Sequence, residues 1–355
     1  MTSLLDELRG LSTVDCDTLD PEVPARLGPL GDCTSNQAIA YAQLSKLDDN
    51  GKPLYQQLMI ESAEVAHWMY GKQSDATVKE LAVELMMVGL SLQMAPHTTG
   101  FLHVQTNPKL AYSSQKTIKN AERIVSHFKH LAPELDANRI CIKIPCTWEG
   151  LQACSELEAR GISTLATTVF CMQQAASAAL VGCRYVAPYV NELRVHFEPG
   201  YVDPNKEAAM KLCGEIQQYL ETPNEQRRRA TQVVVASLTS IEEIMQLAGL
   251  RHITISSPLL AELAATPAAG WNGATIGLFK KPQNSLEEQI QAAEFGNKMR
   301  LLLGVDDAWR MELTRAEGGR SEGKLIQAIN IFADMQDKLE EIVEAANVVI
   351  GAGRA

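Results

Sequence analysis

Short, β-rich apolar runs alternate with longer helical patterns about eight times along this chain, and few folds accept that rhythm. Candidate strands are Thr13–Cys16, a short one ending near Asp32, Gly100–Gln105, Arg139–Ile144, Ser163–Thr167, Tyr185–Ala187, Gln232–Ala236 and His252–Ile255. Helical patterns lie between them at Pro53–Gly71, Thr77–Met94, Ser114–Leu131, Trp148–Arg160, Met172–Val181, Pro204–Leu220 and Ile241–Ala248. Strand followed by helix, repeated, predicts a parallel sheet. About eight units favour a closed α/β barrel of the TIM type, (β/α)8, over an open sheet. Such barrels need about 250 residues, and this chain has 355. The surplus falls mainly after Pro258 and predicts additional C-terminal helices, the last over about 321–350, where Leu325, Ile326, Ile329, Ile331, Phe332, Met335, Leu339 and Ile342 recur largely at helical spacing. No linker rich in Pro, Gly or Ser divides the chain, so 1–355 is expected to form one domain.

A net charge of -11 argues against a nucleic-acid or acidic-membrane binder, since phosphate neutralisation needs clustered Lys and Arg. The window 161–183 carries no charged side chain, yet its Gln, Thr, Ser and Ala content fits a buried strand and a core-facing helix better than a membrane span. Eight cysteines without a C-x-x-C pair, and an acidic opening segment, point to a reducing, cytoplasmic setting. The oligomeric state stays open, a homo-oligomer included.

Within the fourth strand, Ile140, Ile142 and Ile144 share one parity while Cys141 and Lys143 share the other. That pattern sets an ammonium in a strand expected to be buried on both faces. Burying the charge is costly unless it is paired or absent. A neutral lysine is a nucleophile that condenses with carbonyls; the alternative is a lysine snorkelling from a strand end. In barrels of this type the active site collects at the carboxyl ends of the strands. Those ends offer Asp17, then Thr34 and Asn36, Gln105 and Asn107, Lys143, Thr167, Tyr189 and Asn191, and Ser237. Two other features carry less. His127 and His130 lack a third ligand nearby and read as solvated histidines rather than a metal site. Gly318–Lys324 lacks the terminal Ser/Thr of a phosphate loop and follows no strand.

The chain resembles the transaldolase family, including its fructose-6-phosphate aldolase branch, in Asp15-Cys16-Asp17-Thr18, Asp32-Cys33-Thr34-Ser35-Asn36, Arg139–Lys143, Thr147-Trp148-Glu149-Gly150, Ala236-Ser237, Ile253-Thr254-Ile255 and the helix Lys324–Val343. The resemblance implies that Lys143 forms a Schiff base with a ketone and that Asp17 handles the substrate's hydroxyl protons. Asn36 and Ser237 would hold a dihydroxyacetone end, and Thr167 would help fix the water. Thr34, Asn107 and Asn191 join them as candidate substrate contacts. No metal or organic cofactor is required, because the iminium is the electron sink, and the partner is a small-molecule ketose or aldehyde. Three departures bear on the outcome. Gln105 stands where the usual transaldolase has a water-activating glutamate, as it does in the aldolase branch. Tyr189 stands where ordinary transaldolases have phenylalanine. Glu192 and Thr239 stand where the family grips phosphate with arginines, and Arg194 is the nearby cation that could compensate. A carboxylate 4 Å from a phosphate charge costs about 4 kcal/mol at a surface-like dielectric. The expectation is therefore a class I aldolase or transaldolase acting on a non-phosphorylated or otherwise unusual substrate. The alternatives are an ordinary transaldolase of the pentose phosphate pathway with a rearranged clamp, and a barrel that binds a ligand or partner without catalysis.

Overall fold

The computed structural model describes residues 2–70, 75–223, 227, 230–273 and 286–353. Strands β1 (Thr13–Asp17), β2 (Cys33–Thr34), β3 (Leu102–Gln105), β4 (Ile140–Pro145), β5 (Ser163–Val169), β6 (Tyr185–Pro188), β7 (Gln232–Val235) and β8 (His252–Ile255) close a barrel in chain order. Every neighbouring pair is parallel, and β8 returns to β1. Helices Ser114–Leu131 and Met172–Val181 occupy the spans their periodicity predicts. The last helix runs Arg320–Gly353. Short helices at Leu4–Arg9, Glu22–Leu27 and Gln37–Leu44 have no counterpart in the periodicity; the third buries Gln37 and Gln43, which hides its inner face from a hydrophobic pattern. Among the described residues no helix is long and apolar enough to cross a membrane.

Parity in β4 sets the chemistry. All six of its residues are buried, the isoleucines toward the helices and Lys143 toward the barrel interior, where it lines a pocket. The turn after β4 is built by the Thr-Trp-Glu-Gly segment. Thr147 caps helix Trp148–Ala159 by accepting the Gly150 amide at 2.9 Å, and its hydroxyl donates to Ala111 O at 2.6 Å. A Cβ on Gly150 would lie 2.1 Å from Pro145 O, so only glycine lets this helix leave so close to the strand. Trp148 donates to Leu303 O and Glu149 pairs with Arg310, which docks helices Leu286–Leu303 and Asp306–Arg315 on the outside of the barrel. The segment from Pro258 onward therefore packs on flanking helices as far as it is described; residues 274–285 lie outside the described ones. Gly318 and Gly319 adopt positive φ in the turn into the closing helix, and Lys324 there is paired with Asp203 at 2.9 Å.

One expectation is corrected here. His127 is buried rather than solvated, and its Nε2 lies 3.1 Å from Glu84, a carboxylate also held by Arg123 and Asn120. His130 is exposed, as expected.

The amino-terminal end of the barrel interior holds a polar cluster where layers of Val, Ile and Leu are usual. Asp15 lies 2.9 Å from His252 and Asp32 lies 2.8 Å from His103, while the Asp32 amide donates to Asp15 at 2.7 Å. Burial pushes the Asp15 carboxyl up to about 6, against the hydrogen bond and charge of His252. Burial pushes His252 down, but Asp15 more than offsets this and holds it above its ordinary value. Both raised groups keep a proton in the folded chain that the unfolded chain has released. Their contribution is complete at low pH and is lost as pH rises through their folded values. Asp32 runs the other way: burial opposes ionisation, yet His103 and the Phe101 amide hold it low, so its contribution fades in acid. Stability is expected to decline from about pH 4 to about pH 6 through Asp15, with His252 extending the decline above its ordinary 6.5, and Asp15→Asn should flatten the lower part of that slope in denaturation midpoints. An unchanged slope would place the titration elsewhere.

Candidate active site

At the carboxyl ends of the strands lies a pocket of ≈ 190 Å³. Asp17, Asn36, Lys143, Tyr189 and Ser237 all line it, although they come from five separate strand ends. Lys143 is only 3% exposed, and among the described residues no hydrogen bond or salt bridge holds its side-chain nitrogen. Gln105 is its register neighbour on β3, so the two side chains share the interior face. Both heteroatoms of the Gln105 amide are buried without a partner, a condition that costs about 1–3 kcal/mol per group and marks functional positions. Lys143 also neighbours Leu165 on β5, which sets Thr167, two residues further on, on the same side. The Thr167 hydroxyl lies 3.2 Å from that of Tyr189.

The floor is braced. Thr34 does not line the pocket; its hydroxyl lies 2.6 Å from Asp17 Oδ1 and 2.5 Å from the Thr254 hydroxyl, so it orients the carboxylate. Asn36 spends its carbonyl oxygen capping helix Gln37–Leu44, accepting from the Ile39 amide at 3.0 Å, which leaves its NH₂ for the pocket. Ser237 holds φ at 61° and Thr168 at 58°, a left-handed conformation costly for these residue types and concentrated at functional sites. Asn191 stabilises the first of these: its amide NH₂ donates to Ser237 O at 2.9 Å and to Glu243 at 3.1 Å.

Gln105 and Thr167, like Thr34, do not line the pocket themselves, and two further candidates are turned away from it. Asn191 stands behind Ser237, as just described. Asn107 turns away, with its NH₂ on Glu80 at 3.3 Å and its carbonyl oxygen accepting from the Lys109 amide at 3.0 Å. The side chain of a residue two past a strand end is set by the turn, and here the Pro108–Leu110 turn claims it.

His196, Phe197, Leu193, Leu238, Ile39 and Phe332 line the pocket without any signal in the strand-end pattern. They come from a short turn of helix after β6, the loop after β7, the helix after β2, and the closing helix. His196 Nε2 lies 3.0 Å from the Ser237 hydroxyl. The protein packed around His196 holds it below its ordinary value, against the pull of Asp17 and Glu243.

The residues at the expected phosphate positions are occupied elsewhere. Glu192 accepts from Tyr201 and from Gln327 of the closing helix, so its carboxylate does not face the pocket. Arg194 pairs with Glu198 at 2.5 Å and stacks on Tyr201 at 4.1 Å; it does not compensate as a lining residue. Thr239 donates from its amide and its hydroxyl to Glu243.

The family model described as transaldolase/fructose-6-phosphate aldolase matches residues 14–308, which takes in all eight strands except the first residue of β1. The chain belongs to the transaldolase/fructose-6-phosphate aldolase family. Relatives agree over nearly the whole length. A transaldolase of Agrobacterium fabrum is 29% identical over 347 residues, 97% of both chains. One of Acidobacterium capsulatum is 27% identical over 349 residues, covering 96% of this chain and 95% of the relative. A transaldolase of Gloeobacter violaceus is 30% identical over 270 residues, 75% of this chain and 66% of the relative. The protein is thus a transaldolase-family enzyme, of the transferase and aldolase class.

Proposed function

We propose that this enzyme makes or breaks a carbon–carbon bond beside a ketose carbinol through a Schiff base on Lys143, with a non-phosphorylated substrate. The observation that carries this reading is a buried lysine without a hydrogen-bond or ion-pair partner among the described residues, sharing a pocket with Asp17, Asn36 and Tyr189. Neutral Lys143 adds to the ketone carbon, and the carbinolamine oxygen leaves as water once protonated. Tyr189, hydrogen-bonded to Thr167, is within reach to pass that proton, and the unpartnered Gln105 amide is available to the departing oxygen. The iminium then accepts the electron pair of the adjacent carbon–carbon bond while Asp17 takes the proton of the carbinol hydroxyl. An aldehyde leaves, and the enamine on Lys143 is either protonated and hydrolysed or added to an acceptor aldehyde. Asn36 and Ser237, which line the pocket, hold the three-carbon end in this reading; Thr34 and Asn191 support the site from behind, and Asn107 has no direct role.

Gln105 and Tyr189 favour hydrolytic release, the aldolase outcome. The full-length relatives named transaldolase favour transfer. The two are separated by measuring free three-carbon product with and without acceptor aldehyde: large stimulation by acceptor supports transfer. Tyr189→Phe is expected to lower release about 10–100-fold with a smaller effect on transfer. Equal loss in both would remove Tyr189 from the release step. If fructose 6-phosphate or sedoheptulose 7-phosphate turns over as well as the neutral ketoses, the non-phosphorylated reading is wrong.

A further inference from the structure

We propose that the outer half of this pocket is a subsite for an aldehyde bearing a compact apolar substituent, an aromatic ring or a short branched chain, in place of a phosphorylated tail. The proposal rests on the Lys143 reading and names the substrate class for it. Ile39, Leu193, Phe197, Leu238 and Phe332 come from the helix after β2, the turn after β6, the loop after β7 and the closing helix, all outside the strand that carries Lys143. They form an apolar rim around a polar floor of Asp17, Asn36, Lys143 and Tyr189. That division matches a ligand with a polar reacting end and a hydrophobic far end. Phe332 is 1% exposed and Leu193 and Leu238 are 6% exposed, so these walls are packed in place rather than loosely draped. Phe197, at 38%, forms the open lip. The ≈ 190 Å³ is the volume of the whole pocket, floor and rim together, so the substituent has to be compact.

Charge points the same way. A phosphate needs fixed cations or a cluster of aimed donors. Apart from Lys143, which the chemistry uses, His196 is the single lining residue among the described ones able to carry positive charge, and its Nε2 lies 3.0 Å from the Ser237 hydroxyl. The cations nearest by sequence and contact are held by carboxylates: Arg194 by Glu198, Lys206 by Glu243 at 3.5 Å, and Lys324 by Asp203. The proposed step is an ordinary aldol addition. The enamine carbon on Lys143 attacks the aldehyde carbon, the new alkoxide takes the proton held by Asp17, and water hydrolyses the iminium to free the ketose and regenerate the amine.

The test uses the full-length enzyme with dihydroxyacetone as donor and four acceptors: phenylacetaldehyde, 3-methylbutanal, glyceraldehyde and glyceraldehyde 3-phosphate. The expected result is a kcat/KM at least tenfold higher for both apolar aldehydes than for either glyceraldehyde. Phe197→Ser, at an exposed position, should bring the ratio of apolar-aldehyde to glyceraldehyde kcat/KM to within about twofold of one. Phe332→Ala should act likewise; because that side chain is buried, its folding is checked by thermal denaturation, and Phe197→Ser stands alone if it fails. Equal or better use of glyceraldehyde 3-phosphate, or an apolar preference untouched by Phe197→Ser, overturns the subsite. Borohydride trapping of dihydroxyacetone in the same samples separates the layers. An adduct without apolar preference sinks the subsite alone, whereas no adduct on Lys143 sinks both.

Discussion

Lys143→Met is expected to lose at least about 10⁴-fold in kcat/KM for any carbon–carbon bond reaction of this enzyme. The loss should come without unfolding. Lys143 is buried, and methionine matches the length and apolar character of its stem, so the barrel interior accepts it without a cavity. Removing a buried amine that has no hydrogen-bond or ion-pair partner among the described residues leaves no carboxylate stranded there. Thermal stability should therefore be unchanged or slightly raised, which separates this variant from a merely destabilised one. Parallel assays of turnover and denaturation midpoint check both halves. Activity within tenfold of the parent would show that the electron sink is not this amine.

Asp17→Asn is expected to lower turnover by about 10²–10⁴-fold while leaving covalent capture of a ketone donor intact. The substitution keeps the carbonyl oxygen that accepts from Thr34 at 2.6 Å, so the side chain stays where it is. It removes only the ability to take up a proton. The carbinol hydroxyl must release its proton as the carbon–carbon bond breaks, and the condensation of the amine with the ketone comes before that. Single-turnover trapping and steady-state rates on the same variant distinguish the steps. If trapping falls in proportion to turnover, Asp17 acts in forming the Schiff base or in holding the pocket together, and its assignment to bond cleavage fails.

The barrel was legible because its signals are local. Alternating parity in β4 placed Lys143 on the inner face, and helices such as Ser114–Leu131 carry their own period. Asp17 was readable because it ends its strand. Asn36, Ser237 and Asn107 all stand two residues past a strand end, where the turn decides: the first two line the pocket, whereas the Pro108–Leu110 turn carries Asn107 to Glu80, and Asn191, three past β6, stands behind Ser237. Residues brought in by tertiary packing had no local signal. Phe332 reaches the pocket from the closing helix, and His196 and Phe197 from an irregular turn after β6. The pairing of Asp15 with His252 spans 237 residues of sequence, and only closure of the barrel brings β1 beside β8. Glu192 shows the limit of reading charge from position alone. It occupies an expected phosphate-contacting place, yet Tyr201 and Gln327 turn it toward the closing helix.

The central claim is that Lys143 condenses with a ketone. Borohydride reduction of the enzyme in the presence of dihydroxyacetone, followed by proteolysis and peptide mass mapping, tests it directly. One reduced three-carbon adduct is expected, on the peptide carrying Lys143, accompanied by irreversible loss of activity. An adduct confined to other lysines, or none across a panel of ketones, would contradict it.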